Sequence, residues 1–298
     1  MKLVFGIYKY YFMYHFKIFV ELTRLNKPIG FMLLFWPCSW GLALAYNESQ
    51  NFNLFLYYLI LFFLGSVLMR SAGCIFNDIV DKDFDIKVQR TKNRPIASGK
   101  INIIQSLVYV LVLCFIAFLV LIQFNSLTIT LGISSMLLAF AYPFMKRITY
   151  WPQLFLGITF NWGIIMAWTA MNNNISTEII ILYFSAIFWT LGYDTIYGVQ
   201  DIRDDEIIGL KSTAIKFKKN IKIFIAMSYL ISILIILYLF NNIIGLNIFT
   251  LLLSFFALSL FYQVLNFKKD NPKKCLQLFK LNNISGSILF LTLLSINL

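Results

Sequence analysis

The segment Asn77–Asp85 reads NDIVDKDFD and interrupts an otherwise apolar stretch of the sequence. A second acidic segment, YDTIYGVQDIRDDE at Tyr193–Glu206, lies further along the chain. The two segments hold four and five, respectively, of the thirteen acidic residues among 298. Carboxylates are costly beside hydrocarbon, so acidic clusters next to membrane-spanning segments usually mark a functional site. These two acidic segments therefore predict a functional site that lies next to membrane-spanning segments.

The composition around the acidic segments is that of a membrane protein. Of all residues, 60% are hydrophobic and only 13% are charged, and the mean hydropathy is +0.77. Apolar runs of roughly 17–25 residues cross a bilayer as helices. We therefore predict an all-α integral membrane protein, a single transmembrane domain over residues 1–298 with about nine spanning helices. The predicted spans are residues 29–46, 53–74, 103–123, 126–144, 152–171, 177–198, 222–241, 244–265 and 279–297.

The lysines and arginines all fall on one side of these spans. The loops of the opposite side carry Glu48 and Glu178 but none of the 25 basic residues. By the positive-inside rule the N-terminus is expected inside and the C-terminus outside, with both acidic segments at the cytoplasmic face. The net charge of +12 then reflects topology and attraction to anionic membrane lipid, not nucleic-acid binding. Residues 1–28 are predicted to form an interfacial amphipathic helix.

Three carboxylates in each acidic segment are spaced to share one face of a helix. They are Asp78, Asp81 and Asp85 in the first segment, and Asp194, Asp201 and Asp205 in the second. Packed carboxylates repel one another unless a cation lies between them, and hard oxygen ligands suit Mg²⁺, which commonly bridges to phosphate. Asp83 points away from this face and is expected to be solvated.

Basic residues follow each acidic segment. Those next to an acidic segment or a span end are Arg90, Arg94, Lys146, Arg147 and Lys211. They are candidates to neutralise the far side of a bound phosphate group. Asp201 lies 120 positions after Asp81, with about four spans between equivalent points, which suggests two repeated halves of four or more helices each. Repeats of this kind place their sites at the repeat interface, so the two acidic faces are expected to oppose each other across a central cavity.

In these motifs the chain resembles the UbiA-type membrane prenyltransferase superfamily. The family motif NDxxDxxxD matches Asn77–Asp85, DxxxD matches Asp201–Asp205, and YxxxK matches Tyr142–Lys146. Three longer strings resemble the 4-hydroxybenzoate polyprenyltransferase branch of the family. They lie at Leu22–Pro37, Gln89–Gly99 and Tyr193–Ala214, and the one departure is Gly198, where alanine is expected.

The resemblance implies a fold and a reaction. Nine helices would surround a central cavity with a cytoplasmic cap, in the inner membrane of a bacterium or, as the alternative, of a mitochondrion. A polyprenyl diphosphate would bind through Mg²⁺, and its prenyl group would pass to 4-hydroxybenzoate, ortho to the hydroxyl and meta to the carboxylate, in ubiquinone synthesis. The implied metal ligands are Asn77, Asp78, Asp81, Asp85, Asp201 and Asp205. Catalytic roles are implied for the last four of these and for Arg147, and substrate contacts for Arg24, Arg94, Tyr142, Lys146 and Lys211.

The sequence is also compatible with two other hypotheses of function. Prenylation of another aromatic acceptor, such as dihydroxynaphthoate, homogentisate or haem, would use the same acidic segments. A cation transporter would also carry acidic residues beside its spans. The carboxylates here cluster at one membrane face next to basic residues, which favours diphosphate chemistry over an ion pathway.

Overall fold

The computed structural model describes residues 2–297, with side chains from Met13 onward. Within these residues the chain is helical and contains no strand. The α-helices are α1 (Lys2–Thr23), α2 (Ile29–Ser49), α3 (Phe52–Val80), α4 (Lys82–Asp85), α5 (Ile103–Leu121), α6 (Ser126–Ile148), α7 (Pro152–Asn172), α8 (Thr177–Gly198), α9 (Ile202–Ile208), α10 (Thr213–Lys216), α11 (Ile221–Leu239), α12 (Ile248–Asn266) and α13 (Pro272–Leu294).

The prediction of an all-α protein with nine spans is confirmed. Nine helices of the described part are long and apolar enough to cross a membrane, and they are α2, α3, α5, α6, α7, α8, α11, α12 and α13. The protein is therefore a multi-pass membrane protein. The ninth helix begins earlier than predicted, because Pro272 occupies its first turn and the Asn271 side chain accepts a hydrogen bond from the Lys274 amide.

The helices form two compact units. Unit 1 contains the chain up to Phe31 and Leu64–Val120, and unit 2 contains Met32–Phe63 and the chain from Leu121 onward. The first acidic segment lies in unit 1 and the second in unit 2. The predicted central cavity and the predicted repeat of two halves remain predictions.

Unit 1 is held by an apolar core in which α1, α3 and α5 meet. Its members include Ile18 and Leu22 from α1, Ile75 from α3 and Leu113 from α5, all of them buried. Ile96 joins the same cluster from the loop that follows the first acidic segment. The loop is therefore anchored by burial of apolar surface, which fixes the backbone between the acidic segment and α5.

Unit 2 is organised around α8, which packs against α7, α11 and α13. Gly41 of α2 lies so close to the Ile164 carbonyl of α7 that an added Cβ would be 2.3 Å from its oxygen. Buried polar side chains also join the helices: the Trp189 indole N–H donates to Asn282 Oδ1 at 3.0 Å. In lipid, close backbone approach and interhelical hydrogen bonds of this kind hold helices together.

Candidate functional site

The first acidic segment lies where α3 ends. The backbone leaves the helix at Val80, and a short helix begins again at Lys82. The Asp81 amide still donates to the Asn77 carbonyl at 2.9 Å, and the Asp85 amide to the Asp81 carbonyl at 2.8 Å. These i to i+4 bonds keep Asn77, Asp81 and Asp85 in helical register across the break. The shared face predicted from the spacing is thus preserved, although the helix is not continuous.

The carboxylates of this face are buried, with Asp78 2%, Asp81 8% and Asp85 7% exposed. Asp83, in contrast, is exposed, in keeping with its predicted position off the face. Within the face, the Asn77 amide donates to Asp81 Oδ2 at 3.1 Å. Three carboxylates with little access to water require compensating positive charge, because isolated buried charge is strongly unfavourable.

Two arginines supply that charge. The Arg94 guanidinium lies 3.0 Å from Asp78 Oδ1 and 2.8 Å from Asp85 Oδ2 through the same Nη1 atom. Arg24, at the end of α1, approaches the same Asp78 oxygen at 2.5 Å. Asp78 is therefore held by two cations, and Arg94 joins the two ends of the acidic segment. Both arginines were predicted to contact substrate, and in the structure they pair with the acidic segment of unit 1.

Burial raises the pKa of Asp85, and the neighbouring Arg94 opposes this shift. Asp85 therefore favours its neutral form more than an exposed carboxyl would, and a cation beside it would favour the ionised form. The Thr91 hydroxyl donates to the Asp85 backbone carbonyl at 3.0 Å, which fixes the turn that follows.

The donor chemistry of this face fits a hard divalent cation. Three carboxylates and the Asn77 amide supply oxygen atoms, the ligands that Mg²⁺ prefers. The negative charge of carboxylates also attracts a divalent cation. Among residues 13–297, however, no three acidic, histidine or cysteine side chains are gathered closely enough to enclose a metal ion.

The second acidic segment also lies at a helix break. After α8 the backbone forms a 3₁₀ turn at Val199–Asp201, and α9 begins at Ile202. Asp205 is buried, whereas Asp194 and Asp201 are half-buried. Gly209 then ends α9 with φ of +76°, a conformation that glycine adopts without strain, and the Leu210 amide returns to the Asp205 carbonyl at 2.8 Å. The break is a local departure from the single helix face that the spacing predicted.

The basic residues of unit 2 meet where α6 ends. Lys146 and Arg147 lie in its last turn, and Tyr142 is one turn earlier and half-buried. The Lys211 amide donates to the Lys146 carbonyl at 2.8 Å, and the Lys211 ammonium to the Ile148 carbonyl at 3.2 Å. A cation at a helix C-terminus satisfies carbonyls that have no partner within the helix. Lys211, predicted to contact substrate, thus caps α6 and ties it to the segment after α9.

Gln153, which belongs to none of the sequence motifs, also positions this segment. Gln153 is buried near the start of α7, and its Oε1 accepts the Thr213 amide at 2.9 Å. Thr213 shares a further hydrogen bond of 2.7 Å with Thr195 of α8. An alanine at Gly198 would place its Cβ 3.3 Å from Gln153 Nε2, so glycine leaves this amide room. The signal available in the sequence was one uncharged polar residue within the apolar run WPQLFLG.

The sequence of this chain is similar to those of known proteins. The model of the UbiA prenyltransferase family matches residues 34–284. The mitochondrial 4-hydroxybenzoate polyprenyltransferase of Rattus norvegicus is 48% identical over 68% of the chain and 54% of its own length. The 4-hydroxybenzoate octaprenyltransferase of Psychromonas ingrahamii is 43% identical over 91% of the chain and 93% of its own length. The chain thus spans about half the length of the rat relative and nearly all of the bacterial one.

Solved structures share the fold. The apo structure of a UbiA homolog from Aeropyrum pernix K1 superposes with a TM-score of 0.73 at 22% identity, covering 88% of this chain and 96% of that one. A UbiA homolog from Archaeoglobus fulgidus bound to DMAPP and Mg²⁺ gives a TM-score of 0.68 at 15% identity, covering 93% and 98%. At these identities the likeness concerns the fold alone.

Proposed function

The chain belongs to the UbiA prenyltransferase family, and we propose that it transfers a polyprenyl group from a polyprenyl diphosphate to 4-hydroxybenzoate. The allylic C–O bond breaks and diphosphate leaves. The new carbon–carbon bond forms ortho to the hydroxyl and meta to the carboxylate, and that ring carbon loses its proton. The product is an intermediate of ubiquinone synthesis. The observation that carries this proposal is the likeness, over nearly its full length, to the octaprenyltransferase of Psychromonas ingrahamii.

Both acidic segments are proposed to serve this one reaction. Asn77, Asp78, Asp81 and Asp85 in unit 1, with Asp201 and Asp205 in unit 2, would hold Mg²⁺ by their oxygen atoms. When bound, Mg²⁺ offsets the charge that develops on the diphosphate as the allylic C–O bond breaks. The buried face of unit 1 supports this role, because its carboxylates are already fixed by hydrogen bonds and arginines.

The basic residues are proposed to assist departure of the diphosphate. Lys146 and Arg147 lie side by side in the last turn of α6, where cations are also compatible with the helix dipole. Tyr142 is one turn away on the same helix and is proposed to contact the same substrate. Arg94 is proposed to act beside the first acidic segment, where it is bound to two carboxylates.

Arg24 and Lys211 are proposed to act through their neighbours. The guanidinium of Arg24 contacts Asp78, so it would orient that carboxylate. The ammonium of Lys211 contacts the Ile148 carbonyl, so it would fix the turn that carries Lys146 and Arg147. These contacts favour positioning roles over the direct substrate contacts that the resemblance implied.

The proposed reaction also requires an apolar surrounding that excludes water. An allylic cation reacts with any water that reaches it, so the transfer needs a dry, apolar surrounding. A chain with nine apolar helices that can cross the bilayer offers such a surrounding for the prenyl tail, counting only the part of the chain that the structure describes. We propose one functional transmembrane domain with the N-terminus and both acidic segments on the cytoplasmic side of a bacterial inner membrane, or the equivalent side of a mitochondrial inner membrane.

The proposal is tested with membranes that contain the protein, a polyprenyl diphosphate and radiolabelled 4-hydroxybenzoate. Prenylated product should form with Mg²⁺, disappear on chelation and return when Mg²⁺ is restored. Uptake of a cation by protein-containing vesicles, without any prenylated product, would instead support the transporter hypothesis and contradict prenyl transfer.

A further inference from the structure

A lysine-lined cavity lies in unit 2, and none of the proposed metal ligands lines it. It has a volume of about 520 Å³ and lies where the loop before α11 meets the segment after α12. Its basic lining residues are Lys218, Lys219, Lys222 and Lys269. The proposed function uses none of these residues, so the cavity requires an explanation of its own.

The charge of this cavity is positive after its neighbours are counted. Glu206 pairs with Lys218 at 2.6 Å, which neutralises one of the four lysines. Asp270 follows Lys269 in sequence and is exposed. Lys219, Lys222 and Lys269 still outnumber it, so the cavity attracts anions. Four lysines around one small space repel each other, and a bound anion would relieve that repulsion.

The N-terminus of α11 adds a second feature that favours an anion. Asn220 occupies the N-cap position, but its side chain makes no capping hydrogen bond. The first N–H groups of a helix have no partner within the helix, and together with the helix dipole they favour a negative group. Asn220, Ile221 and Ile223 line the same cavity as the lysines. The N-terminus of α11 and the lysines therefore border the same cavity.

The cavity is built on a fixed backbone. The Lys269 ammonium donates to the Lys218 carbonyl at 3.0 Å and thereby joins the two segments that form the cavity. Phe217 stacks on Phe224 with ring centroids 4.0 Å apart, and the Lys216 ammonium lies 4.4 Å above the Trp151 ring. These contacts anchor the connection between α10 and α11, so the site is arranged before any ligand arrives.

An apolar stripe begins at the cavity and follows α11 along its length. Ile223, Met227, Leu230 and Leu234 are spaced by four, three and four residues, and all are exposed. On a helix that can cross a membrane, an exposed stripe of this kind faces acyl chains. A ligand with a phosphate at one end and acyl chains at the other would match both the cavity and the stripe.

We propose that this cavity binds the headgroup phosphate of an anionic phospholipid, with its acyl chains along α11. A free phosphate ion would satisfy the lysines but would leave the apolar stripe without a role. Basic cavities between spanning helices are suited to anionic lipid headgroups, and each lysine near the surface contributes to the attraction. The proposal does not depend on the proposed function.

The test compares lipids retained by the full-length protein during purification. Wild-type protein is reconstituted in vesicles of phosphatidylcholine with phosphatidylglycerol, re-extracted in mild detergent and analysed by native mass spectrometry. We expect retained phosphatidylglycerol in preference to phosphatidylcholine. The variant Lys219→Gln with Lys222→Gln keeps the Lys269 contact and should bind phosphatidylglycerol about 30-fold more weakly.

The matched control is Lys273→Gln with Lys280→Gln, which removes the same charge from exposed lysines of α13 that do not line the cavity. It should retain phosphatidylglycerol as the wild type does. Equal losses in the two variants would mean diffuse attraction and would overturn the proposal. Displacement of phosphatidylglycerol by inorganic phosphate at similar concentration would also overturn it, because the site would then recognise phosphate without the lipid.

Discussion

Arg94 lies 2.8 Å from Asp85 and, through the same Nη1 atom, 3.0 Å from Asp78, which precedes Asp85 by seven positions in the sequence. This shared contact offsets part of the negative charge of the first acidic segment before any metal is bound. Arg94 thus has a structural role as well as a proposed role at the diphosphate, and the two can be separated by substitution.

Replacement of Arg94 by glutamine should leave Asp78 and Asp85 buried without that cation. We expect a loss of stability of about 1–3 kcal/mol, since an uncompensated buried carboxylate is unfavourable. Arg94→Lys should restore part of it, because an ammonium supplies charge but not the planar guanidinium. The measurement is thermal unfolding in detergent. Lys92→Gln, an exposed position in the same loop, is the control and should unfold as the wild type does.

Asp81 and Asp83 separate the metal-binding face from a general effect of charge. Asp81→Ala should lower the rate of prenyl transfer by at least about 10²-fold, because a charged group is removed from a preorganised site. Asp201→Ala should have a loss of the same order. Asp83→Asn should be far milder, since Asp83 is exposed. Rates are measured in membranes at equal protein levels, and equal losses at Asp81 and Asp83 would refute the assignment of the face.

Lys146 and Lys211 are proposed to act in different ways, Lys146 at the diphosphate and Lys211 through the Ile148 carbonyl. Lys146→Ala should fold normally but need more prenyl diphosphate for half-maximal rate and turn over more slowly, with little change in the KM for 4-hydroxybenzoate. Lys146→Arg should recover part of the rate. Lys211→Met removes the ammonium that caps the Ile148 carbonyl and lies over the Tyr150 ring, so it should lower stability by about 0.5–1 kcal/mol and activity less than Lys146→Ala does. Unchanged kinetics in folded Lys146→Ala would contradict its role at the diphosphate.

The topology can be tested by labelling a single cysteine. The four native cysteines, Cys38, Cys74, Cys114 and Cys275, are first replaced. Asp83→Cys, in an exposed position of the first acidic segment, should then react with a membrane-impermeant reagent only from the cytoplasmic side, as the distribution of lysine and arginine predicts. A cysteine in place of Glu178, at the start of α8, should react only from the opposite side. Reaction of Asp83→Cys from outside would invert the proposed orientation.

Much of the fold was predictable because lipid imposes a simple rule on sequence. Long apolar runs must be helices in a membrane, so all nine spans were found, and several ends agree to within a few residues. The early start of α13 depends on local capping by Asn271, and neither this start nor the break after Val80 can be predicted from hydropathy.

The candidate site was predictable in its residue types but not in its contacts. Spacing placed Asp78 and Asp85 together, because neighbours on a helix face are set by local geometry. The pairing of Arg24 with Asp78 joins residues 54 positions apart, and that of Lys211 with Ile148 joins residues 63 apart. Such contacts depend on how the helices pack against one another. The spacing of residues along the sequence does not predict that packing.

The central claim is the choice of acceptor, and a competition between acceptors tests it most directly. Membranes that contain the protein receive one polyprenyl diphosphate, Mg²⁺ and equal amounts of radiolabelled 4-hydroxybenzoate and dihydroxynaphthoate, with membranes of the Asp81→Ala variant as the control. The account predicts a prenylated product of 4-hydroxybenzoate that is lost in the variant. Predominant prenylation of dihydroxynaphthoate, or equal product from the variant, would contradict it.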